Sequence, residues 1–291
     1  MADTAPRVAE AEVSESDDVI DQKAESLADL IRRSKHFIVF TGAGVSTSAG
    51  ISDFRGPQGV WTLRAQGRDR DIKSADTLQA IPTPTHMALV ELQNRGVLKY
   101  LVSQNCDGLH RKSGILPVSF PETGLQGAPP QGKISELHGN SNREYCKDCG
   151  QEYIRDFRAV STYQTSIHDH RTGRKCALCS GPLLDSIINF TESLPQEALK
   201  LAFQHAKKAD LCLVLGSSLT VSPANEVPEV VGSARRRGTT LAICNLQSTP
   251  LDGLAGWRVR AKTDELMVRV MEKLGWEIPG FVFAAQTARD R

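Results

Sequence analysis

Short apolar runs recur along the chain, and small or polar residues follow each of them. The runs cover residues 36–40, 98–102, 211–215 and 241–244. Because these runs do not alternate with polar residues, each one predicts a strand that is covered on both faces, as in parallel sheets. Helical patterns accompany the runs, at residues 22–34, 86–95, 197–208 and 265–274. This alternation predicts an α/β fold with a doubly wound parallel sheet, which binds ligands at the carboxyl ends of its strands.

Composition limits the functional class. A chain of 291 residues with 40% hydrophobic residues can form one large domain with a small appendage, or two modest domains. Its net charge of +1 does not require a polyanionic partner, so we expect weak or no direct nucleic-acid binding. No apolar run reaches the roughly 20 residues of a membrane span, and we find no secretory signal. Seven cysteines are too few for a disulfide scaffold of this length, which predicts a soluble protein of a reducing compartment that is not secreted.

The segment 41–61 carries a candidate phosphate turn. Its Gly-Ala-Gly sequence at residues 42–44 permits a tight turn into a helix, whose free N–H groups could hold a pyrophosphate. The dinucleotide fingerprint is incomplete, because Thr47 stands where a third glycine is usual and no acidic residue closes a second strand. An acidic, an aromatic and a basic residue follow this turn, namely Asp53, Phe54 and Arg55. The alternative is a generic strand–turn–helix with a polar loop.

Polar residues also collect after two further strands. Asn105 and Asp107 follow the run 98–102, either at a ligand site or in a turn rich in Asn and Asp. Residues 134–140 predict a short strand that ends in His138, with Gly139 letting the backbone turn away and expose the imidazole. The alternative for this histidine is a structural role.

Two C-x₂-C pairs, separated by residues 150–175, predict one structural zinc ion. Four thiolates at about 2.3 Å fill a tetrahedral coordination sphere, which leaves no position for water or substrate. His168 and His170 lie between the pairs and are predicted to be surface residues rather than ligands. The predicted ligands are Cys146, Cys149, Cys176 and Cys179.

These motifs divide the chain into a large domain and an inserted module. The large domain is predicted to comprise residues 22–140 and 183–280, and the zinc-ribbon module residues 141–182. Outside them we predict a disordered acidic tail, a surface loop rich in Pro and Gly, and a second tail, at residues 1–21, 117–131 and 281–291.

In their order along the chain, these motifs resemble the sirtuin family of NAD-dependent protein deacylases. Within residues 36–280 the matching motifs are GAGVSTSAGISDFRG, QNCDGLH, ELHGN, the cysteine pairs, GSSLTVSPA and NLQ. DFRGPQGVWT, ISELHGN and WEIP resemble the class IV, nuclear branch. The resemblance implies a Rossmann-like large domain with an inserted zinc-binding domain, and a cleft for NAD and an acylated lysine of a protein or peptide, a histone among the candidates. It also implies a nuclear location, with the cytoplasm as the alternative.

The resemblance assigns roles to individual residues. It implies that the acyl oxygen attacks C1′ of the nicotinamide ribose, that His138 acts as general base on a ribose hydroxyl, and that the acyl group ends on ADP-ribose. Asn105 and Asp107 match residues that orient the nicotinamide ribose and carboxamide, and the segments 190–195 and 221–224 match those that hold the peptide as an added strand. The implied NAD contacts are Gly42, Ala43, Gly44, Thr47, Asp53, Phe54, Arg55, Trp61, Gln104, Asn105, His138, Gly216, Ser217, Ser218, Asn245, Leu246, Gln247 and Thr263.

The chain departs from the family pattern in three places. Ser52 stands where proline is usual, which is expected to loosen the cofactor loop, whereas Cys106 and the loop 117–131 are expected to be tolerated. Mono-ADP-ribosyl transfer in the same site is an alternative activity. Two alternatives lie outside this chemistry, namely an NAD-dependent dehydrogenase and a non-catalytic chromatin-binding zinc protein.

Overall fold

The computed structural model describes residues 10–73, 75–116, 132–160, 166, 168–234 and 238–282. Its strands are β1 (Phe37–Thr41), β2 (Leu98–Ser103), β3 (Ile134–Glu136), β4 (Arg143–Cys146), β5 (Glu152–Ile154), β6 (Arg171–Lys175), β7 (Pro182–Asp185), β8 (Leu211–Leu215), β9 (Thr240–Cys244) and β10 (Trp257–Val259). Its α-helices are α1 (Asp17–Arg33), α2 (Val60–Ala65), α3 (Pro84–Asn94), α4 (Leu109–Ser113), α5 (Gln196–Lys208), α6 (Glu226–Gly232) and α7 (Thr263–Leu274).

Six strands form one parallel sheet in the order β10-β9-β8-β1-β2-β3. The chain runs outward from β1 through β2 to β3, and later returns to the other side of β1 with β8. The strand order therefore reverses between β1 and β8, where doubly wound sheets leave a crevice for a ligand. The predicted doubly wound parallel sheet is confirmed.

Alternate side chains of β1 enter two separate apolar cores. Phe37 and Val39 pack in one core together with residues of α1, α3 and α7. Ile38 and Phe40 pack in the other, against α5 and α6. Successive strand residues point to opposite faces, so a run that is apolar at every position buries both faces of the sheet.

The inserted module contains a second sheet of four antiparallel strands, in the order β5-β4-β7-β6. The predicted module boundary at residue 182 is too early, because β7 pairs with β4 and β6 rather than with the parallel sheet. Leu183 is fully buried beside Cys146 and Cys176 in the small core of this module. A short apolar run carries no local mark of the sheet to which it belongs.

The predicted acidic tail is shorter than expected. Residues 17–21 form the first part of α1, and Ile20 is fully buried in the core. Asp17 and Asp18 lie in the first turn of this helix, where carboxylates favour the helix dipole, so acidic composition does not exclude a helix here. Of the other predicted flexible segments, the loop 117–131 and residues 1–9 and 283–291 lie outside the described residues. Within the described part of the chain, no helix is long and apolar enough to cross a bilayer.

Candidate active site

A cavity of about 1370 Å³ opens at the carboxyl edge of the parallel sheet. All of the predicted NAD contacts, from Gly42 to Thr263, line it. Ser141 and Val160 add walls from the inserted module. The structure therefore brings the predicted contacts together at the point where the strand order reverses.

The predicted phosphate turn is a crossing of two loops. Gly44 N donates to Gly216 O at 2.9 Å, and a Cβ atom on Gly44 would lie only 2.7 Å from Gly216 Cα. The chain continues in two 3₁₀ turns, Ala43–Val45 and Thr47–Ala49, so the prediction of a helix directly after the glycines is wrong. Gly50 ends the second turn at a φ of 83°. The glycines are required first by the close approach of the two loops.

His138 lies in the cavity wall two residues after β3, which ends at Glu136 rather than at His138 as predicted. Its Nδ1 lies 2.9 Å from the Gln104 carbonyl oxygen. Because a carbonyl oxygen only accepts, Nδ1 carries the proton and Nε2 keeps its lone pair. Burial lowers the pKa of His138 below its usual value of 6.5, although the hydrogen bond to Gln104 opposes this shift. The imidazole is therefore a neutral base at neutral pH.

Gly139 allows the chain to turn at His138 because its φ of 82° lies in the left-handed region. A Cβ atom at this position would also lie 1.8 Å from Ser186 O, on the segment that follows β7. The backbone of the inserted module therefore packs directly against this glycine.

Gly139→Ala is expected to lower the free energy of unfolding by several kcal/mol, and to displace His138, because strain and a backbone clash act together. Gly96→Ala is the matched control, since Gly96 has a φ of 69° but a Cβ atom added there would meet no atom within 4 Å. The control is expected to lose only about 1–2 kcal/mol. Urea unfolding of both variants measures the difference, and equal losses would show that the contact with Ser186 is unimportant.

Asn105 and Asp107, both predicted to orient the substrate, occupy different places. Asn105 lines the cavity with 7% of its surface exposed, and its Nδ2 donates to Gly42 O at 3.1 Å. Asp107 is not among the described residues that line the cavity. Its carboxylate accepts hydrogen bonds from Ser46 Oγ at 2.7 Å and from Leu109 N at 2.8 Å. The Asp107 carboxylate therefore positions the loop after β1 through Ser46, and its contact with the nicotinamide end of NAD stays a prediction.

Aromatic rings connect the cofactor loop to the opposite wall of the cavity. The rings of Phe54 and Trp61 have centroids 4.8 Å apart, and those of Trp61 and Phe190 lie 5.3 Å apart. The Arg55 guanidinium carbon lies 4.4 Å from the Trp61 ring centroid, at cation–π distance. Burial lowers the pKa of Arg55, whose side chain is packed in this cluster. The cluster joins the loop after β1 to the segment after β7.

Ser52, which stands where proline is usual, forms a side-chain hydrogen bond that a proline could not form. Its hydroxyl donates a hydrogen bond to the Lys73 carbonyl oxygen. The neighbouring Asp53 carboxylate accepts from Gly56 N at 3.2 Å, and burial raises the pKa of Asp53. Hydrogen bonds thus take over part of the restraint that a proline ring would supply.

Sequence reasoning missed several residues of the cavity wall. Part of the predicted acidic tail packs beside it, because Gln247 Nε2 donates to Glu10 O at 2.6 Å and Val13 N donates to Leu246 O at 3.1 Å. The acidic composition of this segment contains no signal for such a contact. The apolar stretch after β7 does carry a signal, but its composition predicts a strand. The missed residues include Glu12, Cys106, Arg158, Val160, Ile187 and Ile188.

The four cysteines of the inserted module form a candidate metal centre. Their sulfur atoms all lie within 4.8 Å of one another, with Cys146 and Cys179 Sγ 3.4 Å apart and Cys149 and Cys176 Sγ 3.6 Å apart. Bonds of about 2.3 Å in a tetrahedron place sulfur atoms about 3.8 Å apart, so the cluster fits zinc. Leu178 N lies 3.4 Å from Cys176 Sγ and donates to it, as outer hydrogen bonds to metal ligands do.

A Rossmann-like sheet with an inserted four-cysteine module, sharing one cavity that contains a neutral histidine, defines the class of this protein. The family model described as Sir2 family matches residues 69–223, and the chain belongs to the Sir2 family. It is 42% identical to the NAD-dependent protein deacetylase SRT1 of Arabidopsis thaliana over 95% of its own length and 54% of that protein. It is 39% identical to human NAD-dependent protein deacetylase sirtuin-7, over 93% of this chain and 64% of that protein.

The chain thus spans between about half and two thirds of the length of these relatives. It covers 82% of the NAD-dependent protein deacetylase Sirt6 of Drosophila melanogaster, at 36% identity. Among solved structures, a complex of Sir2 with a p53 peptide and NAD⁺ superposes with a TM-score of 0.63 at 32% identity, covering 87% of this chain and 99% of that one.

Proposed function

We propose that this protein is an NAD-dependent protein-lysine deacylase that releases nicotinamide and 2′-O-acyl-ADP-ribose. The observation that carries the proposal is the neutral His138, which keeps a basic Nε2 in the wall of a cavity shared by all the predicted NAD contacts. The deacetylase names of the relatives support the same activity.

The arrangement of the loops supports NAD as co-substrate. The phosphates would lie near the crossing of Gly44 and Gly216, at the reversal of strand order. The buried amide of Asn105 would face the nicotinamide end. Asn245 and Gln247, which line the cavity beyond β9, would hold the adenine ribose in place of the acidic residue of a dehydrogenase.

His138 would act as general base on a ribose hydroxyl. NAD supplies the electrophilic C1′ carbon, which loses nicotinamide and receives the acyl oxygen. Nδ1 of His138 is occupied by the Gln104 carbonyl, so the ring accepts a proton only at Nε2. When Nε2 takes the proton, Nδ1–H stays hydrogen-bonded and helps to hold the resulting imidazolium.

The substrate would be an acylated lysine of a protein or peptide. The segments 190–195 and 221–224 supply cavity-lining residues, among them Phe190, Leu194 and Val221. A peptide between these segments would add a strand by backbone hydrogen bonds, so side-chain preference would be weak. A histone substrate, a nuclear location and a structural role for zinc at the four cysteines belong to the same proposal.

The proposal is tested by incubating the zinc-loaded protein with NAD and an acetyl-lysine peptide, and measuring nicotinamide and deacetylated peptide together. A longer acyl peptide is run in parallel. Equal amounts of both products are expected. Nicotinamide release with labelling of protein instead of deacylation would indicate mono-ADP-ribosyl transfer, NADH absorbance would indicate a dehydrogenase, and no turnover on any acyl peptide would reject catalysis.

The rate of deacylation is expected to fall only at pH values below 6.5, the usual pKa of histidine, because burial lowers the pKa of His138. The neutral base persists as pH falls until this lowered pKa is reached, and protonation then removes it. A profile of kcat between about pH 5 and pH 8, at saturating peptide, measures the limb. An acid limb centred above pH 6.5 would contradict the assignment of His138 as a buried neutral base.

A further inference from the structure

His170 of the inserted module bridges two carboxylates. Its Nδ1 lies 3.0 Å from Asp185 Oδ1, at the end of β7, and its Nε2 lies 2.9 Å from Glu192 Oε1. The Asp185 side chain is 1% exposed and the Glu192 side chain 18% exposed, so the bridge is largely shielded from water. His170 was predicted to be a surface residue rather than a metal ligand; it lies outside the four-cysteine cluster, but its side chain is only 20% exposed because it packs against the two carboxylates.

The bridge requires a charged ring. An ionised carboxylate only accepts hydrogen bonds, so both ring nitrogens of His170 must donate, and only the imidazolium has two N–H groups. Burial disfavours the charged ring, but the hydrogen bonds and charges of Glu192 and Asp185 outweigh it and raise the pKa of His170 above 6.5. Burial likewise disfavours the Glu192 anion, yet hydrogen bonds from His168, Asn189 N and His170 lower the pKa of Glu192.

Among the described residues, His168 also contacts Glu192 Oε1, at 2.7 Å, and a few further titratable or charged groups lie nearby. Burial raises the pKa of Tyr145 on β4, and the negative charges of Asp185 and Glu192 add to this shift, so the phenol stays neutral near pH 7. Arg143, on the same strand, lies over the Tyr145 ring at 5.9 Å. Asp169, beside His170 in sequence, forms an ion pair with Arg171 at 2.6 Å. The two bridged carboxylates therefore control the charge of His170.

Glu192 holds a strained turn at the edge of the cavity. Its Oε2 accepts from Asn189 N at 2.6 Å, and its own N–H donates to Asn189 O at 3.2 Å. Thr191, inside this turn, has a φ of 76°. This left-handed backbone conformation is unfavourable for a residue with a β-branched side chain such as threonine. Strained backbone persists where surrounding contacts determine it, and here the carboxylate of Glu192 supplies them.

The turn carries Phe190 against Trp61 of the cofactor loop, and it belongs to the segment that would hold the peptide. Ile187 and Ile188, between Asp185 and the turn, also line the cavity. Movement of Glu192 would therefore displace the wall on which both the acyl-lysine peptide and the aromatic cluster depend.

We propose that the imidazolium of His170 is a positioning residue, which clamps Glu192 to Asp185 and so sets the substrate-binding segment. The inference rests on the proposed deacylase function and adds a pH dependence of peptide affinity to it. The clamp is complete while His170 is protonated and is lost as pH rises through its raised pKa. Loss of the clamp at higher pH raises the peptide KM, whereas protonation of His138 at lower pH reduces kcat.

The test uses the full, zinc-loaded chain and an acetyl-lysine peptide. For the parent, peptide KM is expected to rise about tenfold between about pH 6.5 and pH 8.5, with kcat nearly constant. His170→Gln and Glu192→Gln are each expected to keep the high KM of the alkaline parent at every pH. His168→Gln is the matched control, because His168 meets Glu192 at 2.7 Å through Nδ1 alone and needs no charge to do so.

This control is expected to change KM less than about twofold and to keep the pH dependence. NMR titration of the His170 ring supplies a readout independent of turnover, with a pKa above 6.5 in the parent that falls in Glu192→Gln. A His170 pKa at or below 6.5 in the parent would overturn the clamp. A peptide KM that changes neither with pH nor with the two substitutions would overturn it as well. Absence of turnover with a raised His170 pKa would instead reject the deacylase and leave the bridge established.

Discussion

Substituting Ala for His138 is expected to lower kcat for deacylation by about 10²–10⁴-fold, the usual contribution of a general base. At about 1.36 kcal/mol per decade, this corresponds to roughly 3–5 kcal/mol of activation free energy. His138 is suited to this role because Gln104 O fixes its Nδ1 proton and burial keeps the ring neutral. Rapid-quench or steady-state assays of deacetylated peptide measure the loss.

NAD affinity is the control for this substitution. The zinc content of His138→Ala is expected to match the parent, and calorimetric NAD binding is expected to be retained with a modest loss of affinity, since the loop crossing and the cysteine cluster do not depend on the imidazole although His138 is one of the predicted NAD contacts. Loss of rate with retained binding would locate the effect in the chemical step. If the variant turned over as fast as the parent, the proposed mechanism would be wrong.

Cys176→Ser is expected to release zinc, unfold the inserted module and abolish deacylation, although Cys176 lies outside the cavity lining among the described residues. Among its described residues the module has a very small apolar core, in which Leu183 and the partly buried Tyr153 accompany two of the ligand cysteines. A structural zinc ion contributes about 10–16 kcal/mol in small zinc domains, far more than this core can supply. The module carries β7, from which the chain leads into the segment 190–195 proposed to hold the peptide, so its unfolding is expected to remove a wall of the site.

Cys244→Ser is the matched control for the zinc experiment. Its thiol is fully buried and donates to Ala261 O at 3.4 Å, a hydrogen bond that a serine hydroxyl can also make. This variant is expected to keep one zinc ion per chain by metal analysis and a folded module by NMR dispersion. A Cys176→Ser protein with stoichiometric zinc and full activity would show that the cluster is not a structural metal site.

The glycine motif has a different role in the fold from the one that its sequence pattern indicates. The pattern indicates a pyrophosphate turn at the start of a helix. In the fold, Gly44 meets Gly216 across the reversal of strand order, because a Cβ atom would not fit between the two loops. The same residues can therefore line a nucleotide site, but their small size is demanded first by packing between loops that lie far apart in the sequence.

By itself, the sequence predicted five of the six strands of the parallel sheet, the four longest helices and the four-cysteine cluster, but it missed β10. These features depend on local periodicity and on short spacings, which are visible along the chain. The candidate NAD contacts came from the resemblance to the sirtuin family, and the structure places them around one cavity. For His138 the residues alone left a structural role open, and the family resemblance selected it as the base; the φ of 82° at Gly139 confirms that the turn needs glycine.

Only the tertiary structure decided how distant segments meet. The pairing of β7 with the small sheet, the hydrogen bond from Ser46 to Asp107 and the contact of Glu10 with Gln247 join residues that no local pattern connects. The contacts of His170 were decided in the same way, since no local pattern places Asp185 and Glu192 at its two ring nitrogens.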